Sequence, residues 1–161
     1  MHTQFKKSVV LFVGIAALLM ASAADAQTTE PIVGNWKLDV AKSTYKPGPA
    51  PKSSNVTIEP AGKGLKIAVD AVQGDGSPLK WGFTSLRDGK EEAPVTGNPM
   101  FDVVTATRES ANAGTNVYKK AGKVVMTTKA AISADGKTMT LTSTGTDAKG
   151  QAMHNVAIYT K

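Results

Sequence analysis

The sequence predicts an all-β protein, a single antiparallel up-and-down barrel of about 8–10 strands behind a cleaved signal peptide. Three observations predict it. Short strand-length segments recur along residues 31–161, Gly-containing turn signals separate most of them, and no segment after the leader carries a long apolar 3.6-residue period. Short hairpin connections make neighbouring strands antiparallel. Closing such a meander removes the unpaired edges that invite aggregation.

The leader comes first. Lys6 and Lys7, an apolar run from Val9 to Met20, and small residues ending in Ala24-Asp25-Ala26 form the three parts of a secretory signal. Cleavage is expected before Gln27, which divides the chain into a signal peptide, 1–26, and a barrel domain, 27–161. The apolar run holds 12 residues, short of the roughly 20 that cross a bilayer, so no membrane insertion is expected after cleavage.

Pro31 to Leu38 is the entry strand, and a short helical turn is expected near Val40 to Ser43. Ala41 to Ser54 contains Tyr45-Lys46-Pro47-Gly48-Pro49-Ala50-Pro51, where proline removes backbone donors, so this stretch is read as a connection. Strands then follow at Val56–Glu59, Leu65–Val72, Leu79–Leu86, a short one near Ala93–Thr96, Val103–Glu109, Thr115–Lys120, Lys123–Ser133, Thr138–Thr144 and Met153–Thr160. Turns at Gly62, Gly74-Asp75-Gly76, Asp88-Gly89-Lys90, Gly122 and Asp135-Gly136-Lys137 supply the positive φ that tight reversals need. Leu65, Ile67, Val69 and Ala71 alternate with Lys66 and Asp70, giving one packed and one wet face. Gly82, between Trp81 and Phe83, marks a bend or bulge.

Composition excludes several functions. The chain has no cysteine, which rules out disulfide scaffolds, thiol catalysis and Cys-based zinc sites. After cleavage 17 basic residues face 12 acidic ones, a net charge of +5 scattered along the chain. Arg87 and Arg108 are the only arginines, and no basic aromatic-bearing patch is evident, so nucleic acid is not an expected partner. His154 is the sole histidine beyond the leader; no metal site and no cofactor are expected.

Val33-Gly34-Asn35-Trp36-Lys37-Leu38 resembles the Gly-x-Trp opening of the lipocalin and fatty-acid-binding protein superfamily, and strand order and spacing along residues 31–161 extend the likeness. It looks closest to bacterial lipocalin-like exported proteins. The resemblance implies that Trp36 plugs the closed end of the barrel and that Gly34 lets the chain turn in beneath it. It also implies a periplasmic or secreted location. Two departures stand out. Ala157-Ile158-Tyr159 occupies the place of the Arg-x-Tyr clamp for fatty-acid carboxylates, and the last strand lacks the arginine that covers the entry tryptophan.

A ring of this size encloses more space than small side chains fill, and many strand positions here are Thr, Ala, Ser or Val. An apolar cavity with a few hydroxyls is therefore expected, with a solidly packed barrel as the competing outcome. Its candidate lining is Trp81, Phe83, Tyr118, Met126, Met139, Leu141 and Tyr159. The expected function is binding of a small apolar or amphipathic molecule, without assigned catalysis. Two alternatives stand beside it: an envelope interaction module with a filled barrel, and a hydrolase or isomerase using His154 with Tyr118 or Tyr159.

Overall fold

The computed structural model describes residues 30–161; the expected signal peptide and cleavage site lie outside them. Every element among the described residues is a strand: β1 Gly34–Lys46, β2 Ser53–Ala61, β3 Gly64–Val72, β4 Pro78–Ser85, β5 Asp88–Pro94, β6 Val103–Arg108, β7 Ala113–Lys120, β8 Lys123–Ile132, β9 Thr138–Thr146 and β10 Ala152–Thr160. All neighbours are antiparallel, in the order β4-β3-β2-β1-β10-β9-β8-β7-β6-β5. This is the expected up-and-down barrel, and its first and last strands pair with each other.

The ring is nearly closed. Its two free edges are the consecutive strands β4 and β5, joined only by a bridge in which Gly82 and Thr96 exchange backbone hydrogen bonds of 3.0 Å. Proline explains part of this seam: Pro94 ends β5 and brings no N–H to the partner edge. The rest comes from an irregular start. Asp88 accepts the N–H groups of Lys90 and Glu91, and the β5–β6 register slips between Asp88 and Glu92.

Turn chemistry works as its residue types dictate. Asp75, Asp135 and Asp147 accept the backbone N–H of Ser77, Lys137 and Lys149, respectively, the short-range bond for which aspartate is favoured in turns.

Three local expectations need correction, each because a partner strand decides what local sequence cannot. The Val40–Ser43 stretch is not helical. It is a bulge in β1, where the β10 partners jump from Ile158 opposite Asp39 to Val156 opposite Thr44. Ser43 holds it closed by donating to the Asp39 carbonyl at 2.6 Å while accepting Ile158 N–H at 2.9 Å. Strand β1 consequently reaches Lys46, well into the expected connection. Finally, Asp88-Gly89-Lys90 lies inside β5; the reversal falls at Leu86–Arg87.

A second bulge lies across the ring. Tyr118 faces Met126, but Lys119 faces Val124, leaving Val125 extra in β8. Gly145 lies opposite, and a Cβ on it would stand 2.2 Å from the Val125 carbonyl oxygen. The glycine lets β9 pair closely past the bulge.

The interior divides into two apolar clusters. The first is built around Trp36, Leu38, Met139 and Tyr159, and the second around Phe83, Phe101, Val104 and Tyr118. Ile67 packs against both.

Candidate functional site

The entry tryptophan is packed into the first cluster. Trp36 is 1% exposed, and its indole N–H donates to the Ile32 carbonyl at 2.8 Å. Gly34 has φ +139, a conformation that side chains disfavour, and a Cβ there would meet Lys161 Cε at 3.0 Å. Lys161 covers the ring: its ammonium lies 4.4 Å from the Trp36 ring centroid and donates to the Pro31 carbonyl at 2.7 Å. The cation over the tryptophan thus comes from just beyond β10, not from an arginine within it. Such a contact is worth about 0.5–1 kcal/mol at an exposed site.

Between the two clusters lies a cavity of about 110 Å³. Trp81, Phe83, Tyr118, Met139, Leu141 and Tyr159 all border it, whereas Met126 packs with the second cluster and does not. Pockets enclosing drug-sized ligands measure about 300–1,000 Å³, so the interior is neither solid nor wide. Phe101, in the segment between β5 and β6, is a main reason. It lies 4.5 Å from Tyr118 and 5.2 Å, edge-on, from Trp81 by ring centroids. Strand alternation does not single it out, and the only local signal is the adjacent apolar pair Met100-Phe101 in the connection.

Polar groups on the wall are few. Asn116 donates its side-chain N–H to the Tyr118 hydroxyl at 3.3 Å. The Tyr159 hydroxyl donates to the buried Ser54 hydroxyl at 3.1 Å, and Thr128 shares a hydrogen bond of 2.8 Å with Ser143. Like Ile32, Arg87 also enters the lining. A sequence pattern gives no hint of this, because a charged residue beside a turn reads as solvent-facing.

Burial pushes the Tyr118 hydroxyl up to about 12 and raises Tyr159 and Tyr45 as well. In each case the desolvated phenolate is the disfavoured form. The unfolded chain, with phenols near 10, releases these protons first. For Tyr118 the stability held below pH 10 is lost as pH rises from there through about 12, by up to about 1.4 kcal/mol per pH unit, and Tyr159 and Tyr45 act in the same direction. Urea midpoints measured between pH 9 and pH 11.5 should drop above pH 10; a constant midpoint would contradict the burial.

His154 stands apart. It is exposed on β10, opposite Thr144 and Lys46, and does not line the cavity. No shared site joins it to Tyr118 or Tyr159. Among the described residues no cluster of His, Asp and Glu could hold a metal ion.

A larger, open depression of about 780 Å³ lies along β2–β4 and the seam. Alternating residues Lys66, Asp70 and Lys80 line it, with Asp70 and Lys80 paired at 2.8 Å and both well exposed. Exposed pairs of this kind contribute about 0–1 kcal/mol. The enclosed interior, apolar with converging polar groups, is the better candidate site.

Fold and site together define a ten-stranded antiparallel near-barrel with a small enclosed cavity. No family model matches the chain, and no curated protein matches it. A redesigned beta barrel, mFAP1, solved bound to DFHBI, is similar to it at 14% identity and a TM-score of 0.46, covering 81% of this chain and 95% of that one. The fold assignment rests on the strand pairing described above.

Proposed function

We propose that this chain is a bacterial lipocalin-like exported protein, periplasmic or secreted, that binds one small apolar or amphipathic molecule inside its barrel. No covalent chemistry is assigned. The enclosed cavity between the two clusters carries this reading, because apolar walls with a few oriented hydroxyl and amide groups are how small-ligand sites are built. Its size limits the ligand. An engineered apolar cavity of about 150 Å³ accepts benzene, so about 110 Å³ suits a short chain, or a single ring after slight side-chain movement. A long-chain fatty acid does not fit.

Native mass spectrometry of the protein purified from its host tests both parts. The expected mass is that of a chain beginning at Gln27 plus one small adduct, and titration with that compound should saturate a change in Trp81 emission. An uncleaved mass would remove export. No adduct and no saturable response to short-chain or single-ring compounds would remove ligand binding. The filled-barrel interaction module, which the modest cavity volume favours, would then be the better reading.

A further inference from the structure

The cavity contains a feature that an apolar container does not need. Arg87 sits at the β4–β5 reversal with φ +60, a conformation rare for non-glycine residues. The backbone is held there: Arg87 N–H donates to the buried Ser85 hydroxyl at 3.0 Å, and its carbonyl accepts Arg108 N–H at 2.9 Å. Leu86 beside it is 51% exposed, yet the Arg87 side chain is only 10% exposed and borders the cavity.

Among the described residues the guanidinium is incompletely matched. Nη1 donates to one carboxylate oxygen of Glu30 at 2.7 Å, while the other oxygen of Glu30 lies 3.6 Å from Arg108 Nη1. A guanidinium offers five N–H donors in a fork that fits a carboxylate two at a time. Glu30 uses one of them. Nη2 lies 3.6 Å from where a Cβ of Gly114 would be, so the missing side chain leaves room beside the fork. Gly114, Thr107 and Asn116 border the same end of the cavity.

We infer that Arg87 recognises the anionic end of the ligand, that Glu30 is an internal competitor for that position, and that the ligand class is a small amphipathic carboxylate. The inference rests on the cavity-binding reading above and narrows it. The ligand carboxylate takes two donors of the Arg87 fork, and its apolar body lies along Ile67, Val69 and Leu141. Glu30 then moves to Arg108, which is 45% exposed and already within reach. Exchanging one carboxylate for another keeps the buried guanidinium paired, which a neutral ligand of the same shape does not do.

The test compares butyrate with butyramide, nearly identical in shape and different in charge, at matched ionic strength. Binding is read by NMR from the Trp81 indole N–H and the Arg87 Nε–H. Glu30→Gln removes the competitor and should strengthen butyrate binding about tenfold or more, while butyramide changes by less than about threefold. Arg87→Gln should abolish the preference for butyrate. If butyramide binds and Glu30→Gln gives butyrate no advantage, the anion site is overturned and the cavity stands. If neither compound shifts Trp81 in any variant, the cavity reading fails and takes this inference with it. Should Glu30→Gln fold poorly, butyrate should raise its Tm by resupplying the lost carboxylate. Equal rescue by butyramide, or none by either, overturns the proposal.

Discussion

Replacing Trp36 with alanine is expected to lower stability by about 3–5 kcal/mol, the range for deleting a large buried aromatic side chain. Three losses add up at this position. The ring is almost fully buried in the first cluster, so its removal leaves a hole that the surrounding strands close only in part. The Ile32 carbonyl loses its indole donor, and Lys161 loses the aromatic face beneath it. Ile32 also borders the cavity, so losing the indole loosens part of the cavity wall. Urea unfolding should show a lower midpoint with the slope nearly kept. Trp36→Phe should cost less than Trp36→Ala, since it keeps an aromatic face under Lys161 and part of the packing while losing the N–H donor and some ring volume. A cost below about 1 kcal/mol for Trp36→Ala would contradict its place in the packed first cluster.

The barrel was legible because its determinants are local. Alternation gives the face of each residue, and aspartate and glycine give the reversals; both act over two to four positions. What depends on the partner strand was not legible. The bulges at Val40–Ser43 and Val125 exist only in the register with β10 and β7, and Met126, opposite Tyr118 on the same inward face, packs with the second cluster without reaching the cavity. Depth along the barrel axis was also hidden. Alternation can say that Phe83 and Tyr159 point inward, but not that Phe101 folds in from a connection. Nor can it say that Arg87 enters the cavity from a turn. The two cations illustrate the same limit. The resembled family keeps both as arginines on the last strand, where this chain has none. Lys161 instead reaches the tryptophan from beyond that strand, and Arg87 reaches the interior from the opposite side of the ring.

Cavity size and stability are coupled through Tyr118. Its ring is buried between Phe83, Phe101 and Trp81, at centroid distances of 6.4, 4.5 and 6.2 Å, so it belongs to the second cluster and to the cavity wall at once. Tyr118→Ala should cost about 3–5 kcal/mol if the neighbouring rings stay in place, and less if they collapse inward. Against the 5–15 kcal/mol typical of a whole domain, that is a large fraction. The same change merges the space of the lost ring with the existing cavity. An uncharged aromatic such as indole should then bind the variant, raising its Tm with the logarithm of ligand excess while leaving the Tm of the original chain nearly unchanged. Tyr118→Phe serves as the control, because it keeps the wall and removes only the hydroxyl that Asn116 bonds. Its cost should be about 1 kcal/mol, with no new capacity for indole. Collapse of the three rings would give a small penalty and no ligand rescue together, whereas a rigid wall gives a large penalty and a rescue. A large penalty without rescue would show that space alone does not make this interior a binding site, and would favour the filled-barrel reading.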